Sequence, residues 1–142
     1  MKRAANRQRR RRSAIAGAFV AHTKDMRESY AWRHLPDNAR RLLDRLEIEH
    51  MRHAGAENGR LICTYADLAE HGIRRASVPL AIRQCVELGF LRISGQGQRS
   101  ISSFRAPSLY VLTYLGGCGD SPVPTNDWLR IKSDTDAAAA LL

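Results

Sequence analysis

Residues 64–91 read TYADLAEHGIRRASVPLAIRQCVELGFL, and this stretch predicts two helices joined by a short turn. Thr64 and Asp67 have the spacing of a capping box, in which a hydroxyl accepts a hydrogen bond from an amide of the first helical turn. The first helix is therefore expected to begin at Tyr65. It is expected to close at Gly72, because glycine adopts left-handed backbone angles without steric cost.

A second helix is predicted after the turn at residues 72–75. Pro79 has no amide hydrogen and must lie in the first turn, so Ser77 or a residue just before it is the expected cap. Steps of three and four residues predict a buried stripe of Val78, Ile82, Cys85 and Leu88. The side chains expected on the outward side are Ser77, Leu80, Arg83, Gln84 and Glu87.

Strands are predicted on both sides of this helix pair. Residues 61–63 form a short apolar run, and residues 90–93 and 109–114 form two more. The last two runs are expected to pair as a hairpin around residues 94–100, which are small, polar and rich in glycine.

Two helical segments are predicted upstream of the first strand. Ser29 precedes one or two helical turns that stop before Pro36, since the residue before a proline avoids helical angles. Asp37 or Asn38 then caps a longer helix that runs to about His53. Its apolar stripe contains Ala39, Leu42, Leu43, Leu46 and His50. Residues 14–20 fit a short strand or a helical turn equally well.

The chain carries a formal net charge of +9, with 23 basic and 14 acidic residues in 142, and this charge is concentrated at one end. Residues 1–12 contain seven of the basic side chains and no acid. A block of like charge cannot bury enough apolar surface to offset its ordering entropy. Residues 1–13 are therefore predicted to be a disordered basic arm, followed by one domain over residues 14–115.

Residues 116–142 are predicted to be a linker and a short C-terminal helical tail. Glycine and proline dominate the linker, residues 126–131 form a short amphipathic element, and Ser133 caps a final helix. Trp128 is expected to tie this tail to the core. The alternative for Trp128, Leu129 and Ile131 is a partner patch that makes a homodimer.

The order of elements resembles that of winged helix-turn-helix DNA-binding proteins of bacterial plasmids, phages and mobile elements. The family includes regulators and the winged domains of replication initiators. The resemblance covers residues 29–114 and is carried by three groups: ADLA at 66–69, GI at 72–73 and LGFL at 88–91. It implies a mainly α fold with a small β-hairpin (α+β), here with the basic arm added.

The resemblance also implies a set of DNA-binding residues. In this family the second helix of the pair enters the major groove, which admits a helix and presents a full donor and acceptor code. The residues expected to contact DNA from this helix and its leading turn are Arg74, Arg75, Ser77, Arg83 and Gln84. Arg99 would act from the wing, and Arg9, Arg10, Arg11 and Arg12 would neutralise phosphates from the arm.

The function implied is sequence-specific binding of double-stranded DNA, by a transcriptional regulator or by a replication or excision accessory of a mobile element. The alternative is a basic RNA-binding or ribosome-associated protein that uses the arm. A third hypothesis is that the protein is a protein-interaction adaptor whose winged domain has lost contact with DNA.

Other classes of protein fit the sequence poorly. Glu47, Glu49 and His50 crowd one helix, but no nucleophile with a base and an orienting group is present, so no enzyme and no cofactor are expected. His50 and His53 lack a further ligand at a familiar spacing, so no metal is expected. No apolar run reaches the ~18 residues of a membrane span. Three cysteines without a CxxC pair suit reduced thiols in a cytoplasm.

Overall fold

The computed structural model describes residues 15–95, 107–117 and 123–142, which form a mixed α+β fold. Within them lie six helices and a three-stranded antiparallel sheet. No helix in this part of the chain is long and apolar enough to cross a membrane. The helices are α1 (Lys24–Glu28), α2 (Tyr30–Arg33), α3 (Asp37–Arg52), α4 (Tyr65–Glu70), α5 (Val78–Glu87) and α6 (Asp134–Ala140). The strands are β1 (Leu61–Ile62), β2 (Leu91–Gly95) and β3 (Leu109–Leu112), and two 3-10 turns span Arg75–Ser77 and Asp127–Arg130.

Local capping explains where α4 and α6 begin. The Thr64 hydroxyl accepts from the Asp67 amide at 3.1 Å, and the Asp67 carboxylate accepts from the Thr64 amide at 2.8 Å. The predicted capping box is therefore confirmed. The predicted cap of the last helix is confirmed as well, because the Ser133 hydroxyl accepts from the Asp136 amide.

Helix α5 begins at the predicted place, with Ser77 at its N-cap position. Pro79 lies in its first turn as expected, but Ser77 makes no capping hydrogen bond with its side chain. The 3-10 turn Arg75–Ser77 leads into the helix instead, and its Ser77 amide donates to the carbonyl of Arg74 at 2.8 Å. The chain therefore already forms a helical turn before Pro79.

Helix α1 was not predicted, because five residues are too few for periodicity to show. Thr23 caps it by accepting from the Met26 amide at 3.2 Å. The Met26 side chain is buried in the core, which supplies the stabilisation that so short a helix lacks alone. Residues 15–20, whose structure the sequence left open, contain no helix or strand.

The sheet has β3 between its two partners. β2 pairs with β3 as the predicted hairpin, and β1 pairs with the other edge of β3, with Leu61 opposite Tyr110. Buried Asn58 connects the strands to the following loop. Its amide nitrogen donates to the carbonyls of Leu112, Leu115 and Gly116, and its oxygen accepts from the Leu112 amide at 2.8 Å.

The C-terminal segment packs on the same core as the rest of the fold. Trp128 and Ala137 are buried in the cluster formed by the helices and the sheet. A Cβ atom on Gly89, which has a φ of +88°, would lie 2.6 Å from the backbone of Asp127. Only glycine therefore permits this close approach between the end of α5 and the C-terminal segment.

Candidate nucleic-acid interface

Helix α5 has one buried side and one exposed side. The predicted inward residues Val78, Cys85 and Leu88 are buried, while Ile82 is half-buried and Ala81 is buried beside them. The exposed stripe follows steps of four, three and four residues along one helical face. It consists of Leu80, Arg83 and Glu87, with Ala76 of the preceding 3-10 turn in line with them and exposed Pro79 beside them.

Three arginines lie around the turn that precedes this helix. Arg74 and Arg75 are exposed. Arg41 reaches over from α3, and its Nη1 atom occupies the space at Gly72 where a Cβ would lie, 2.5 Å from that position. We call Arg41, Arg74 and Arg75 the arginine cluster.

The arginine cluster lacks acidic partners within residues 15–95, 107–117 and 123–142. No ion pair, hydrogen bond or ring contact joins its guanidinium groups to another side chain there. Other arginines of the fold are neutralised, such as Arg45 by Glu49 at 3.0 Å and Arg60 by Glu57 at 3.2 Å. Because a guanidinium presents five donors in a fork, an unpaired one is ready to bind a phosphate or a guanine edge.

Charge changes sign along the exposed stripe of α5. The arginine cluster lies at the N-terminal end, where the helix dipole adds about half a positive charge. Glu87 places a carboxylate at the opposite end. An anionic ligand is therefore favoured at the beginning of the helix, whereas at its end the charge of Glu87 is accompanied by the guanidinium of Arg130, which donates to the Glu87 carbonyl.

Arg83 is exposed but already has a partner. Its Nη1 atom donates to the main-chain oxygen of Leu142 at 3.1 Å. Of the other predicted contact residues on this helix, Ser77 and Gln84 are half-buried at the margin of the exposed side. The structure thus places Arg41 at Gly72, two residues before Arg74, and it sets Arg83 beside the C-terminal segment.

The C-terminal segment holds the far end of α5. The Arg130 guanidinium donates to the carbonyls of Val86 at 2.8 Å and Glu87 at 3.1 Å. Helix C-termini leave such carbonyls unsatisfied, so a cation there is doubly favourable. In the part of the chain described here, no hydrogen bond or ion pair links residues 123–142 to residues 74–80.

Five of the predicted contact residues lie outside the described residues. They are Arg99 of the expected wing and Arg9, Arg10, Arg11 and Arg12 of the arm. Sequence reasoning in turn missed Arg41 and Arg130. Arg41 sits among the charged residues of α3, and nothing in the local sequence signals that it approaches Gly72, 31 residues away.

The cysteines that the structure describes have the environment of buried apolar side chains. Burial raises the pKa of the Cys63 thiol to about 11. Burial also raises the pKa of Cys85, whose sulfur donates to the Ala39 carbonyl at 3.3 Å. Thiols in this state are poor nucleophiles, which matches the interpretation of both residues as core side chains.

The histidines of α3 have separate environments. Burial lowers the pKa of His50, against the opposing effect of the Glu47 charge. The His53 ring lies 3.0 Å from Glu49. Across the described residues, no three His, Cys, Asp or Glu side chains converge in a geometry that would hold a metal ion.

Comparisons with known proteins add no relative: no family model, curated protein or solved structure matches this chain.

Proposed function

We propose that this protein is a winged helix-turn-helix protein that binds double-stranded DNA sequence-specifically, with α5 in the major groove. In this proposal the arginine cluster contacts phosphates or guanine edges at the beginning of α5. The protein acts by occupying its site, as a transcriptional regulator or as a replication or excision accessory of a mobile element.

The order of the elements supports the proposal. A long helix, a strand, the α4–α5 pair and a two-stranded hairpin follow one another, as in the family that the sequence resembles. Residues 96–106, where the family has its wing, come between β2 and β3 in the sequence and lie outside the described residues. The fold alone does not specify function, which depends on the side chains that the surface of α5 presents.

The observation that carries the proposal is the charge of that surface. Within residues 15–95, 107–117 and 123–142, the three guanidinium groups of the arginine cluster have no acidic partner, and they lie in or beside the turn that leads into α5, whose outer side is exposed. Exposed guanidinium groups of this kind are available to bind an anion. Duplex DNA supplies regularly spaced phosphates, and each one neutralised contributes about 0.9 to the salt dependence of binding.

The test is a comparison of duplex DNA, single-stranded DNA and structured RNA. A preferred duplex is first selected from a random pool, and affinities are then measured by fluorescence anisotropy at several salt concentrations. We expect the selected duplex to bind best. Equal or tighter binding of RNA that survives deletion of residues 1–12 would overturn the proposal in favour of the RNA-binding alternative.

A variant pair tests the site itself. Replacing Arg74 and Arg75 together with Gln should weaken the selected duplex and reduce its advantage over random duplex, by ~1–3 kcal/mol for each lost base contact. Arg27→Gln is the matched control, because Arg27 is exposed on α1 and also lacks a described partner. A double variant that loses no more affinity than Arg27→Gln would place the interface elsewhere.

A further inference from the structure

Leu80 is a large apolar residue on the exposed side of α5, where its neighbours are charged or small. Its side chain is 47% exposed and lies one helical turn after Ala76. The core of the fold lies on the opposite side of the helix, at Val78, Ala81 and Cys85. Leu80 therefore contributes little to the packing of the described fold.

The position of Leu80 matters more than its exposure, since single exposed leucines are common on protein surfaces. It follows the arginine cluster by one to two helical turns, on the part of α5 that the C-terminal segment leaves open. If the arginine cluster binds the DNA backbone, Leu80, which follows the exposed residues Ala76 and Pro79, faces the base edges.

The major-groove edges of the bases offer one apolar partner for a leucine. Thymine presents its C5-methyl group there, whereas the other positions are hydrogen-bond donors and acceptors or the much smaller C5–H of cytosine. A leucine at a donor or acceptor would leave that group without a partner, which is unfavourable. A leucine on a methyl group removes apolar surface of both from water.

We propose that Leu80 is a specificity-determining residue that packs on the C5-methyl group of a thymine in the major groove. The inference rests on the proposed function and deepens it: the preferred duplex contains a T·A pair at the position that Leu80 faces. Ala76, one turn earlier on the same stripe, leaves room for the base edge to approach the helix.

The experiment removes single methyl groups from the DNA. Each thymine of the selected duplex is replaced in turn by deoxyuridine, which keeps every hydrogen bond and lacks only the methyl group. The wild-type chain should lose affinity about fourfold at one position, the factor that corresponds to one buried methylene-sized group. At other positions the replacement should have little effect.

The variant Leu80→Ala assigns the effect to the side chain. Alanine is a strong helix former, so α5 is expected to remain folded. This variant should bind the thymine and deoxyuridine duplexes equally at the sensitive position. Leu129→Ala is the matched control, because Leu129 is 55% exposed in the 3-10 turn Asp127–Arg130, and it should keep the wild-type discrimination.

The outcomes separate this inference from the proposed function. Tight binding of the selected duplex without deoxyuridine sensitivity, or with the same sensitivity in Leu80→Ala, overturns the role of Leu80 and leaves DNA binding intact. Absence of duplex binding overturns both.

Discussion

Arg83 donates a hydrogen bond to the main-chain oxygen of Leu142, 3.1 Å away, and this contact joins the exposed side of α5 to the C-terminal segment. The same segment holds the end of the helix through Arg130. The exposed stripe of α5 is therefore divided into an open part near the arginine cluster and a part beside the chain's own C-terminal residues.

This division predicts unequal roles for two arginines. The salt dependence of duplex binding is the slope of log binding constant against log salt concentration. Arg75→Gln should reduce the magnitude of this slope by about 0.9, the contribution of one phosphate contact. Arg83→Gln should reduce it by less than half as much, because Arg83 must first give up its bond to Leu142. Anisotropy titrations across a salt series measure both slopes. Equal reductions would contradict the division of the surface.

Arg130 is expected to stabilise α5 by binding its terminal carbonyls. Arg130→Met should lower the free energy of unfolding by about 1 kcal/mol, since charged donors at a helix C-terminus contribute on this order. Urea denaturation followed by circular dichroism measures the change. Arg27→Met is the control and should leave stability within about 0.5 kcal/mol of wild type. The prediction is wrong if the two variants unfold at the same urea concentration.

Gly89→Ala should be strongly destabilising. A Cβ atom there meets backbone of Asp127 and Trp128 at 2.6 Å, and the φ of +88° is strained for alanine. The steric clash and the backbone strain together should lower the free energy of unfolding by about 3 kcal/mol. Gly17→Ala is an informative control because Gly17 has a similar φ of +91° with open space around it. In that variant only the backbone strain should lower the free energy of unfolding, by about 1–2 kcal/mol. Thermal melts of the two variants measure the difference.

Asn58→Ala should also lower stability, because the Leu112 amide loses its buried acceptor. One unsatisfied buried group costs about 1–3 kcal/mol. Asn58→Asp should be worse at neutral pH, since a carboxylate would face the carbonyls of Leu112, Leu115 and Gly116, which now accept from the amide. Denaturation at neutral and acidic pH compares the two variants. If Asn58→Asp is as stable as wild type at neutral pH, these carbonyls do not constrain which side chain can lie at position 58.

Asp67 should make stability depend on pH. The Thr64 amide holds the pKa of this carboxyl below its ordinary value, and the Thr64 hydroxyl and Arg45 act in the same direction. Ionised Asp67 therefore favours the folded state. Its contribution is present above the unfolded value of about 3.9 and is lost as the pH falls through the lower folded value.

The variant Asp67→Asn isolates this effect, because asparagine keeps an oxygen that accepts from the Thr64 amide and removes the charge. Wild type should be the more stable at neutral pH, and the two proteins should converge as the pH falls below the folded pKa. Urea midpoints at stepped pH values give the comparison. A difference that stays constant over this range would assign the effect to geometry instead of charge.

The arginine cluster illustrates the limit of sequence reasoning at the candidate site. Arg74 and Arg75 were predicted as contact residues because they precede a helix in a recognisable pattern. Arg41 was not, since it joins them only where α3 passes Gly72. The arm and the expected wing lie outside the described residues, so the roles of Arg99 and Arg9–Arg12 stay predictions.

The local elements of this fold could be predicted from the amino-acid sequence. The capping box at Thr64, the proline at position 79 and the apolar periodicity of α3 and α5 act between residues within a turn or two, so their effects can be read in order along the chain. Contacts between groups that are distant in the sequence are seen only in the tertiary structure: β1 with β3, Arg130 with the end of α5, and Trp128 with the core. Those contacts depend on how whole elements pack, and packing free energy is shared among many residues that are far apart in the chain.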